Sequence, residues 1–347
     1  LMVANVGIAI SAVGYAAVLF GVKLGPIQVA QATIILLWLA ALLNFGGNRW
    51  TGRISNITVW GAIIPVILVG TIGWYWFDPE LYWSAWNPGN LPFFDAVSAS
   101  ISMTLWAFLG FESAAANADA VENPKKNVPI ATFFGTLIVA VIYVFSTNVM
   151  AGIVPNFDLL NSTAPFGLTF TYMFNGYIGK LVMATMIISC FGALLCWQFT
   201  ISRVFKTCAE EGLFPKIFAH VNDKDAPIKG LLIILVVQST MALATANESL
   251  YRQFENLVNL AVCSNVVPYI LSCLAVPRLF REEGASSGRI KRTIPLLVIA
   301  LIYCAYAIYA TGPIAMVGSA VAISIGICIY LVAFVIYPRV IGARKKQ

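Results

Sequence analysis

Glu112 sits in the apolar run Trp106-Ala107-Phe108-Leu109-Gly110-Phe111-Glu112-Ser113, where the hydrophobic pattern predicts the middle of a membrane helix. A carboxylate at bilayer depth costs about 2.5–3.5 kcal/mol on insertion scales. Such an acid persists by facing the bundle interior or a water-filled cavity, paired with a partner. No Lys or Arg lies inside the apolar segments, so a mobile cation or a proton is the expected partner. A group that holds a proton when no cation is bound makes a simple exchange device.

The residues around Glu112 fit that chemistry. Gly110 lies two positions before the acid, and Gly weakens a helix by about 1 kcal/mol relative to Ala. A glycine beside an intramembrane charge is where transporter helices break, so that freed carbonyls line a cation site. The alternative is a continuous helix in which Gly110 permits close packing. Trp106 lies six residues before Glu112, about 9 Å along a helix. A second mid-span indole, Trp197, stands between Cys196 and Gln198. An indole face over a desolvated ammonium contributes about 2 kcal/mol, although aromatic side chains also simply fill cores. Tyr330 in the last span is a weaker candidate of the same kind. Tyr303, Tyr306 and Tyr309 recur every third residue and read as a packing or interface stripe.

The elements that must position these groups are membrane helices. Of the 347 residues, 60% are apolar and 10% charged, against about 25% charged in soluble domains; mean hydropathy is +0.85. Long continuous apolar runs exclude a barrel. Ten spans are expected, at roughly 1–22, 27–46, 55–76, 93–117, 129–153, 177–204, 229–247, 253–276, 293–312 and 314–338. Of the 21 Lys and Arg, 18 fall near 49–53, 125–126, 203–229, 278–292 and in the tail; only Lys23, Lys180 and Arg252 fall on the opposite side. The positive-inside rule places the tail in the cytoplasm. These charges lie in short loops, so the net +6 points to no nucleic-acid partner.

Other features carry less chemistry. Six of the seven cysteines lie in apolar segments and read as small packing residues. The single histidine, His220, has no second ligand nearby, so no metal or cofactor is expected. Without a nucleophile–base pair, enzyme chemistry is not expected either. The basic-free stretch Trp74 to Trp86 predicts an outer aromatic belt, as an anchor rather than a lid. Between Glu122 and Pro129 the sequence predicts a tight hinge, in which Pro124 ends one helix, Asn127 caps the next and Pro129 enters its first turn. Leu1 opens directly into an apolar helix, which leads to the expectation that an N-terminal part precedes it.

Several runs carry a family resemblance. Glu112-Ser113, Glu122-Asn123-Pro124-Lys125-Lys126-Asn127-Val128-Pro129-Ile130-Ala131 and Glu211-Gly212-Leu213-Phe214-Pro215-Lys216-Ile217-Phe218 resemble the amino acid–polyamine–organocation superfamily. Three further stretches narrow the resemblance to its basic amino acid/polyamine antiporters: Asn148 to Asn156, Asn161 to Leu168, and Trp197-Gln198-Phe199-Thr200-Ile201. The resemblance implies an all-α, LeuT-like inverted-repeat bundle of twelve spans. The ten here would be the third to twelfth, in one transmembrane domain over 1–339. The second repeat would cover about 93–276, with two extra helices over 293–338 and a cytoplasmic tail over 340–347. It also implies a cation site built from Glu112, Trp106, Trp197, Gly110, Ser113 and Tyr330. No Asp or Glu follows Tyr330, so a role that relatives place on an acid near the C-terminus has no counterpart here.

The implied activity is exchange of putrescine for ornithine, or putrescine–proton symport, across a bacterial inner membrane. Lysine–cadaverine and arginine–agmatine exchange are the near alternatives. A cation channel is the alternative from another class, but it would need rings of charge from several subunits. Expected partners are putrescine, ornithine, protons and membrane lipid, in an architecture compatible with a homo-oligomer.

Overall fold

The computed structural model describes residues 2–46, 48–111, 121–223 and 226–344. Among these, every regular element is helical. The helices are α1 Met2–Phe20, α2 Pro26–Asn44, α3 Asn48–Thr58, α4 Trp60–Ile72, α5 Pro79–Trp86, α6 Phe93–Trp106 and α7 Pro124–Ala151. There follow α8 Asn156–Asn161, α9 Pro165–Met173, α10 Gly176–Glu210, α11 Ile228–Ala244, α12 Leu250–Glu282, α13 Ser287–Ala310 and α14 Gly312–Arg344. Nine of the ten expected spans coincide with helix; in the fourth, helix covers 93–106, the chain turns over 107–111, and the remainder lies outside the described residues. Eight stretches are long and apolar enough to cross a membrane, α11 has 17 residues, and α6 has 14 and stops part-way along its expected span.

Local chemistry sets several boundaries. Asn175 caps α10 by accepting from the backbone N–H groups of Tyr177 and Ile178, both at 3.0 Å. Asp78 caps α5 by accepting from Glu80 N–H at 2.8 Å. The hinge before α7 differs from the sequence expectation. Asn123 turns the chain in the left-handed region, φ 48°, and α7 starts at Pro124. Asn127 is therefore already helical and donates back to the Glu122 carbonyl at 2.6 Å, and Pro129 lies inside the helix. The reason is local: Asn tolerates left-handed backbone, and Pro is pre-organised for a first helical position.

The chain divides into two compact units, 1–91 with 110–254, and 92–109 with 255–347. In the first, α10 is the central helix. It is 35 residues long, about 52 Å at 1.5 Å per residue, and it packs against α1, α2, α3, α4, α9 and α11. Leu194, Leu195, Ile10, Leu37 and Leu235 are fully buried around it. Leu181 and Ile188 of the same helix are exposed, so α10 is apolar all round, as a helix facing both core and lipid must be.

Where α3 and α4 cross α10 the backbones touch. Ser55 donates to the Gly192 carbonyl at 3.0 Å, and a methyl group on Gly61 would lie 2.5 Å from the Thr185 backbone oxygen. Small residues permit such approaches in membrane bundles. Gly61→Ala is therefore expected to lower stability by about 1–3 kcal/mol, the usual cost of overpacking. Gly288→Ala, with nothing within 4 Å, serves as the control. Thermal unfolding of the detergent-solubilised protein reads both, and equal melting temperatures would contradict the close crossing.

The second unit pairs α6 with α13 and α13 with α14. The hydroxyl residues of α6 serve this packing. Ser98 hydrogen-bonds Tyr306, and Ser102 donates to Asn259 Oδ1 at 2.5 Å. Tyr306 thus belongs to a packing contact, as the tyrosine stripe suggested. The aromatic stretch from Trp74 to Trp86 is docked on the end of α7. Tyr82 donates to Asn148 Oδ1 at 2.6 Å, and Asp78 N–H donates to the Gly152 carbonyl at 2.8 Å, tying the segment to the end of α7.

Candidate functional site

Helix ends part-way along the fourth expected span, ahead of Gly110. After α6 ends at Trp106 the chain turns tightly over 107–111. Phe108 N–H donates to Leu105 O at 3.0 Å, and Leu109 N–H to Trp106 O at 3.1 Å. These bonds satisfy some of the carbonyls that a helix end leaves open. The partial negative charge at the C-terminus of α6 suits a cation. Gly110 then takes φ +112°, a conformation that side chains with a Cβ rarely adopt.

Gly110 is also the point of closest approach to Trp197. A methyl group placed on it would lie 2.7 Å from Cζ2 and 2.9 Å from Cη2 of the indole. Backbone conformation and space therefore both require glycine at 110. Trp197 is half-buried on α10, between exposed Cys196 and fully buried Gln198. The next residue after Gly110, Phe111, reaches to ordinary contact distance of Gly135 on α7.

Of the residues selected from sequence, Gly110 and Trp197 meet in the first unit. Trp106 closes α6 in the second unit and is half-buried; Tyr330 lies on α14 of that unit and is 39% exposed. Glu112 and Ser113 lie outside the described residues. No cluster of metal-ligating side chains occurs among the described residues.

One constellation escaped the sequence reading. Asn5 on α1, Gln198 on α10 and Gln238 on α11 are each at most 1% exposed and form a chain. Asn5 Nδ2 donates to Gln198 Oε1 at 2.6 Å, Gln198 Nε2 to Gln238 Oε1 at 2.7 Å, and Gln238 Nε2 to the Met2 carbonyl at 3.2 Å. The available signal was three carboxamides inside otherwise apolar spans. Such groups need partners in hydrocarbon and bond across helices.

Comparison with known proteins follows the same lines. The chain is 54% identical to the putrescine transporter PotE of Haemophilus influenzae over 330 residues, 95% of this chain and 76% of that protein. It is 53% identical to the putrescine transporter PotE of Escherichia coli K12, covering 95% of this chain and 75% of that one. With the cadaverine/lysine antiporter of Escherichia coli K12 it shares 31% over 324 residues, 91% of this chain and 72% of that protein. A family profile described as amino acid permease matches residues 1–337. With its multi-pass helical architecture and its match along nearly its whole length, the chain belongs to the amino acid permease family.

Proposed function

We propose that the protein is a secondary transporter that carries putrescine by alternating access, exchanging it for ornithine or moving it with a proton. The observation that carries this reading is the end of helix within the fourth expected span, where Gly110 at φ +112°, two positions before Glu112 in the sequence, lies against the Trp197 indole. A diammonium ion with no carboxylate is recognised by an acid, an indole face and helix carbonyls. We assign Glu112 as the counter-charge, and Trp197 and Trp106 as aromatic walls. Ser113 and Tyr330 are polar contacts in this reading. The similarity to putrescine transporters at 53–54% identity, against 31% for the cadaverine/lysine antiporter, supports putrescine over the longer diamine. The protein acts in a bacterial inner membrane with its C-terminus in the cytoplasm, because 18 of 21 basic residues fall on that side.

Liposomes containing the full-length protein and preloaded with ornithine test the reading. Labelled putrescine is expected to enter saturably, and much faster than into empty liposomes. Saturable uptake that ornithine fails to accelerate would overturn the exchange. Uptake that rises linearly with concentration would favour a channel instead.

A further inference from the structure

We propose that Gln198 and Gln238 are positioning residues for transport, holding the Trp197 indole in place through the buried amide chain that runs from Asn5 to the Met2 carbonyl. This rests on the reading that Trp197 contacts the substrate. A backbone carbonyl can only accept, so the carbonyl of Met2 fixes which way every member of the chain faces. Gln238 must turn its NH2 group towards Met2, which leaves its Oε1 for Gln198. Gln198 must then donate from Nε2, which leaves its own Oε1 for Asn5. The observed bonds of 3.2, 2.7 and 2.6 Å follow this order. Reversing any amide sets two oxygens or two NH2 groups face to face. The chain ends at Asn5 Oδ1, the terminal acceptor in this order, which is buried and has no partner among the described residues.

The chain joins three helices, and its central residue is the one next to Trp197. Successive residues on a helix point about 100° apart. Fixing Gln198 between Asn5 of α1 and Gln238 of α11 therefore fixes the rotation of α10. That rotation determines whether the indole reaches Gly110. With each amide at most 1% exposed, water cannot replace a broken link. Gln238 bonds Gln198 and Met2 rather than Trp197, so an effect of Gln238 on substrate affinity must pass through Gln198.

Two measurements on the full-length protein test this. In putrescine uptake, Gln238→Met is expected to raise KM about fivefold with the maximal rate within about twofold of wild type. A purely structural role would lower the maximal rate through loss of protein and leave KM unchanged, which would overturn the proposal. In thermal unfolding, Gln198→Met strands the Asn5 donor and the Gln238 acceptor, and should melt well below wild type. The triple variant Asn5→Leu, Gln198→Met, Gln238→Met strands nothing and should recover at least half of that loss. A triple variant less stable than the single one would refute the chain. If the wild-type protein carries no putrescine, the transport reading falls, and the unfolding comparison still decides whether the amides act as a unit.

Discussion

Gly110→Ala is expected to reduce putrescine uptake at least about tenfold while the protein still inserts in the membrane at close to wild-type level. Two costs combine. A residue with a Cβ held at φ +112° is strained by about 1–3 kcal/mol. The new methyl group would also sit 2.7 Å from Trp197 Cζ2, well inside contact distance. The bicyclic indole cannot bend, so the ring has to swing away or the turn over 107–111 has to reopen. Either movement separates the indole from Gly110. The bulk of the bundle lies elsewhere, around Leu194, Leu195 and Leu235, which is why insertion should survive. Trp197→Phe in the Gly110→Ala background separates the two costs. It relieves the contact but leaves the backbone strain, so uptake should recover in part. Uptake by Gly110→Ala at the wild-type rate would mean that the interruption near Gly110 is packing and plays no part in transport.

The sequence showed the bundle more clearly than it showed the site. Continuous apolar runs located nine of the ten expected spans as helix and the first half of the fourth, because in a bilayer the length of an apolar segment is nearly a direct measure of a span. The glycine before Glu112 pointed to an interruption of the fourth span; α6 ends four residues ahead of it, at Trp106, and Gly110 takes φ +112°. The contact between Gly110 and Trp197 was not legible, since nothing in two separate spans encodes which faces meet. The hinge was misread by four residues because Asn123 can make the turn through its own backbone. A sequence rule looks for a side-chain cap and so prefers Asn127. The amide chain escaped for another reason. Carboxamides in a span attract less notice than charges, yet buried amides must be satisfied just as strictly. Gln198 was visible only as a neighbour of Trp197 until Asn5 and Gln238 were seen to hold it.

Glu112→Gln is expected to abolish ornithine-driven putrescine uptake, and Glu112→Asp to retain a measurable fraction. The glutamine keeps the shape and hydrogen bonds but cannot balance an ammonium away from water. Removing one partner of a desolvated charge pair costs about 2–5 kcal/mol, which is about thirtyfold or more in affinity. The aspartate keeps the charge but draws it back by one methylene, so it should weaken binding without losing selectivity for cations. A proton-coupled exchanger would add a second signature. Because glutamine cannot take up and release the proton, whatever residual uptake Glu112→Gln retains should not respond to an imposed pH gradient, whereas wild-type uptake should. The comparison needs equal amounts of protein in the liposomes, checked by a tag at the C-terminus. Wild-type kinetics in the glutamine variant would place the counter-charge elsewhere. Asp95, in the first turn of α6, would be the next acid to test in that segment. Loss of uptake in both variants, with normal insertion, would mean that the reach of the side chain matters as much as its charge. That outcome would match a site in which the diammonium ion is gripped between Glu112 and the indole of Trp197.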